Sequence, residues 1–225
     1  MRKLILLFLT VIVCSCGNKI YNKKELIDFK SNTIPAASLR LDGYYYNEFE
    51  TDNNYRNYRY MDSVKIKTIR YFFIYQDGFA LNLITTGVDP YYCVQNIVIE
   101  NSFENAHNNI LQKVEAQNSS IKKVRNTCDF NPNDVTGKGM VKINQDKGKI
   151  TVQYYVMEYK DHNVPISSYY LYEMTGDIIN DTTFKINTLK SYKDNKVEDV
   201  NFVYRFRESN KPVVPNYFKE YMRGI

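Results

Sequence analysis

The sequence predicts a mainly β domain, an antiparallel meander that closes into a barrel or folds into a sandwich, with one inserted α-helix. Three observations carry that expectation. From Ser38 to Glu208, extended segments alternate with turns built on Gly, Asn and Asp. The aromatic residues are plentiful but of limited kind, 21 Tyr and 12 Phe with no Trp, and tyrosine suits a strand that is apolar along the ring and wet at its tip. Only one stretch carries helical periodicity.

Taken in order, Arg2 and Lys3 precede the apolar run Leu4 to Val13, which ends at Cys14, Ser15 and Cys16. A basic start, about ten apolar residues and small residues at the end make a secretory signal, well short of the roughly twenty residues a spanning helix needs. Residues 1–15 are therefore expected to be removed and the remainder exported. Residues 16–35, with Lys19, Asn22, Lys23, Lys24, Ser31, Asn32 and Pro35, read as a tether. Leu26, Ile27 and Phe29 offer the alternative of a short helical turn docked on the domain.

Residues 36–225 read as one β-rich domain. Leu39 to Phe49 is the first extended segment. Thr68 to Tyr75 and Phe79 to Ile84 flank Gln76, Asp77 and Gly78, where an Asp-Gly step can supply the positive φ of a tight hairpin. Met140 to Asn144 and Lys149 to Glu158 flank Asp146, Lys147 and Gly148. Ser167 to Ile179 and Thr182 to Leu189 meet at Asn180 and Asp181. In the last segment, Asn201 to Arg207, the residues Phe202, Tyr204 and Phe206 alternate with Asn201, Val203, Arg205 and Arg207, the period of a half-buried strand. The helix is expected near 102–117, with Ser102 as N-cap and Phe103, Ala106, Ile110, Leu111 and Val114 on its apolar side. Tyr217, Phe218 and Tyr221 suggest a short closing helix.

Charge narrows the partners. Arg2 and Lys3 leave with the signal, which takes the formal charge from +5 to +3, and the remaining charges are interspersed, as in Tyr192 to Asp199. No basic stripe suited to a nucleic acid is evident, so none is expected as a partner. Cys93 and Cys128 are the candidates for a disulfide in an oxidising compartment. No metal and no cofactor are expected, since these cysteines, His107 and His162 do not stand at metal-ligand spacing. Catalysis is not expected either. His107 lies on the helix and His162 in the turn from Lys160 to Pro165, neither beside a nucleophile in sequence, and Asp177 and Asp181 are explained by a hairpin tip. Tyrosine runs such as Tyr44 to Tyr46 must send neighbours to opposite faces, so cross-strand packing explains most of them before any pocket does.

The signal region resembles the lipobox of bacterial lipoproteins, with Val13, Cys14 and Ser15 before Cys16 and Gly17, Asn18 and Lys19 after it. That resemblance implies diacylglycerol on the Cys16 thiol, with at least two acyl chains such as palmitate acting together. Gly17 in place of an aspartate points to the outer membrane. The body resembles, more faintly, the lipocalin-like lipoproteins, in which an early Gly-x-Trp strand packs against an arginine of the last strand. Gly43, Tyr44 and Tyr45 stand in the first role here and Arg205 and Arg207 in the second. The resemblance implies a non-enzymatic barrel that binds a small apolar ligand. The alternative is an interaction module that docks on another envelope protein.

Overall fold

The computed structural model describes residues 19–28, 32–52, 65–88, 100–119, 135–159 and 167–213. The strands are β1 (Lys19–Ile20), β2 (Gly43–Thr51), β3 (Ile66–Ile74), β4 (Phe79–Thr86), β5 (Lys138–Asn144), β6 (Lys149–Tyr159), β7 (Ser167–Asn180), β8 (Thr183–Ser191) and β9 (Lys196–Glu208). Helix α1 (Phe103–Asn118) lies between β4 and β5.

Strands β2 to β9 pair antiparallel in chain order, and β9 returns to β2 through Gly43↔Glu208 to Tyr46↔Arg205. The result is a closed eight-stranded up-and-down barrel, the arrangement that removes exposed sheet edges altogether. Of the two architectures the sequence allows, the barrel is the one formed. All three expected hairpins are present. Gly78 and Gly148 adopt φ of +77° and +58°, a conformation open to glycine because it has no Cβ, and at the third turn Asn180 Oδ1 accepts from the Thr182 N–H.

Strand alternation sorts the apolar residues into two sets. Tyr45, Phe72, Ile74, Val141, Val152, Met174, Phe184, Ile186 and Tyr204 fill the interior. Tyr44, Tyr71, Phe73, Phe79, Leu81 and Met140 face outward and are covered by Ala106, Ile110 and Val114 of α1. The run Tyr44 to Tyr46 thus divides as its period requires. Tyr45 packs inside against Phe184 and Phe206, while Tyr44 and Tyr46 pack outside against His107.

One end of the barrel is plugged. Ile34 and Leu39 join the interior cluster there, the Ile34 N–H donates to Gln76 O at 2.9 Å, and the Arg40 N–H donates to Asp181 O at 2.8 Å. The far end carries the β8–β9 turn and the starts of β3, β5 and β7. At that end β8 pairs with β7 only from Tyr172 onward, and β1 takes the vacant side of β7, parallel, at Ser168 and Tyr169.

The stretch expected to stand off as a tether instead packs on the barrel over its described residues, 19–28 on the outer wall and 32–35 at the plugged end. Leu26 and Ile27 pack on the outer cluster, as the docking alternative has it, through a 3-10 turn at Lys23–Glu25. The buried Gln153 side chain accepts from the Ile27 N–H at 2.7 Å and donates to Glu25 O at 2.9 Å. Apolar contact and satisfied backbone outweigh the polar composition of the segment.

Candidate functional site

The interior is apolar near the plug and mixed toward the far end. Arg70 pairs with Asn47 of β2 and Ile84 of β4, on the same inward face as Phe72 two residues on. Its guanidinium lies 5.9 Å from the Phe49 ring and 5.7 Å from the Phe202 ring. Its Nε is buried and has no hydrogen-bond partner; the buried Tyr204 hydroxyl lies close beside this guanidinium, and the buried Asn82 side chain close beside the Tyr154 hydroxyl. No carboxylate among the described residues pairs with Arg70. Arg40, by contrast, pairs with Asp42 and Glu208, and Arg207 with Glu104.

Two buried phenols share this part of the interior. Burial pushes Tyr154 up to about 12, with the Arg70 charge pulling the other way. The same two influences act on Tyr204, and burial again prevails to raise it. Ile84 faces inward beside Arg70 and is nonetheless 51% exposed, so the interior is accessible at this level. Nearer the rim, a cavity of about 290 Å³ is lined by Tyr172, Leu189, Ser191, Asp194, Lys196 and Glu198. Of the carboxylates lining or flanking it, Glu158 pairs with Lys193 and accepts from the Tyr172 hydroxyl, Glu198 pairs with Lys196, and Asp194 lies 3.5 Å from the Ser191 hydroxyl.

A second polar cluster is buried under α1. His107 is 3% exposed; its Nδ1 is 2.8 Å from the Tyr44 hydroxyl and its Nε2 is 3.2 Å from Glu48 Oε1. Burial and the Arg207 charge hold the imidazole below its ordinary value, against the opposing pull of Glu48 and Glu104. Ring edges of Tyr46 and Tyr44 close the site. The geometry fits a structural contact that fixes α1 to β2.

Among the residues singled out in the sequence, Cys16, Cys93, Cys128 and His162 lie outside the described residues, as does the expected closing helix at Tyr217, Phe218 and Tyr221. Asp177 ion-pairs with Lys149 at 2.5 Å and accepts from Asn187. The Asp181 carbonyl accepts from the Tyr45 hydroxyl at 2.6 Å, so both aspartates serve the hairpin and its plug. Sequence spacing missed Arg70 and the Glu48 partner of His107. Among the described residues no group of three or more His, Cys, Asp or Glu is placed to hold a metal ion, and no helix is long and apolar enough to cross a membrane.

Comparison with family models, with curated proteins and with solved structures finds no match for this chain.

Proposed function

We propose that this chain is a non-enzymatic, lipid-anchored protein of the bacterial envelope, held in the outer membrane by acyl chains on Cys16, whose barrel takes a small, largely apolar ligand from its far end. The observation that supports this best is the asymmetry of the barrel. One end is packed and plugged by Ile34 and Leu39, whereas toward the other the inward-facing Ile84 is half exposed beside the aromatic rings of Phe49 and Phe202. A concave, mostly apolar lining with a few polar groups is what small-molecule sites are made of. The docking alternative has less in its favour, because the outward side of α1 presents Glu104, Asn108, Glu115 and Asn118, with Leu111 as its one large apolar residue.

Two measurements test the proposal. Native mass spectrometry of the full-length protein purified from its own cells should show an added mass in the range of a small molecule, and a barrel recovered empty with a stoichiometric protein partner would replace this reading with the docking one. Labelled palmitate should enter the wild-type chain and not a Cys16→Ser variant; equal labelling of the two would remove the anchor.

A further inference from the structure

Among the described residues the interior holds a cation, Arg70, with which no carboxylate pairs, and from it we infer that the ligand is an amphiphilic anion: Arg70 takes the carboxylate of a small molecule whose apolar part lies along Ile84, Phe49 and Phe202. This rests on the reading of the barrel as a ligand holder and adds the charge and chemical class of what it holds.

Three features carry it. Arg70 is placed by register, since residues paired with Phe72 and Ile74 face the interior and Arg70 continues their side of β3. Its charge is met by aromatic faces, which attract a cation yet accept no conventional hydrogen bond. Finally, the guanidinium Nε is buried without a hydrogen-bond acceptor, and the Tyr204 hydroxyl is buried close beside the same guanidinium. Both are donors of the kind an anion requires, and burying a donor without an acceptor is unfavourable.

The planar fork of a guanidinium matches a carboxylate in two parallel hydrogen bonds. Among the described residues no carboxylate supplies the match: Glu158 and Glu198 are held by Lys193 and Lys196, and no ion pair joins Asp194 to Arg70. Ile84, exposed on the interior face beside the charge, favours an anion with an apolar body over a small hydrated ion. Dodecanoate and dodecanol differ in just the group at issue and serve as probes.

Calorimetric titration of the whole protein should find dodecanoate bound about tenfold or more tighter than dodecanol, the margin expected of hydrogen bonds to a charged group. Arg70→Met should abolish that preference, while Arg205→Met, on the exposed outer face of β9, should leave it intact. Arg70→Met should also shift the urea midpoint upward, because a half-buried guanidinium whose Nε lacks an acceptor is replaced by an apolar side chain of similar length. Equal binding of the two probes by wild type, or a preference that survives Arg70→Met, overturns the anion site and leaves the ligand barrel standing. Binding of neither probe overturns both. A lowered midpoint, or failure to fold, for Arg70→Met makes Arg70 a structural residue and overturns the inference.

Discussion

Tyr155 is fully buried on the outer side of β6, and its hydroxyl has no hydrogen-bond partner. Burial, with the Glu25 charge adding to it, carries its phenol up to about 12. A buried hydroxyl without a partner leaves its desolvation cost uncompensated. Tyr155→Phe is therefore expected to raise stability by about 1 kcal/mol, read as a higher urea midpoint with unchanged slope; a lower midpoint would mean the hydroxyl has a partner in solution. His107 leads to a pH dependence. Its imidazole is held below the ordinary 6.5, chiefly by burial, so the unfolded chain takes up a proton before the folded one does. Stability is then greatest above about pH 6.5 and falls as pH drops below it, until the buried ring itself is protonated. The urea midpoint should decline between pH 7.5 and 5.5 in wild type and decline less in His107→Gln. An equal decline in both would assign the effect elsewhere.

At the level of elements, what could be read in the sequence is what depends on neighbours in the chain. Gly78, Gly148 and Asn180 mark their hairpins because turn chemistry is local, and α1 declares itself by its cap and its period. Ser102 Oγ accepts from the Asn105 N–H at 3.1 Å, so Ser102→Ala is expected to lower stability by about 1 kcal/mol, measured by thermal or urea unfolding; a neutral result would mean that α1 is fixed by packing alone. Other parts depend on closure and were not legible. Period-2 alternation places Phe202, Tyr204 and Phe206 on one face but does not say which face lies inside. Arg70 becomes an interior charge only once β3 has neighbours on both sides and the sheet has closed. Glu48 reaches His107 across 59 residues of chain. The docking of Lys19–Asp28 depends on Gln153, a residue with nothing in its local sequence to suggest such a role.

Across the whole molecule, closure rests on the meeting of the first and last barrel strands. At Gly43 a Cβ would overlap the Arg207 carbonyl and crowd Glu208 Cα and the Phe206 ring, so β2 and β9 approach closely only because that atom is missing. Gly43→Val is expected to lower stability by about 2 kcal/mol or more, in the range of overpacked cores. Chemical unfolding would show it, and an unchanged midpoint would mean that the seam can widen freely. The residue at the Gly-x-Trp position, Tyr45, packs inside against Phe184 and Phe206 and not against a last-strand arginine; Tyr44 lies opposite Arg207, which reaches on to Glu104 of α1.

The short strand β1 runs parallel to β7, from the far rim toward the plug. Only Gly17 and Asn18 separate it from Cys16, a reach of about 11 Å when fully extended. Acyl chains on that cysteine would leave the barrel no freedom to stand away from the bilayer, and they would turn the rim nearest Arg70 down onto the headgroups. On that proposal an amphiphile would slip between leaflet and protein without ever crossing open water, and the membrane would be both mooring and reservoir.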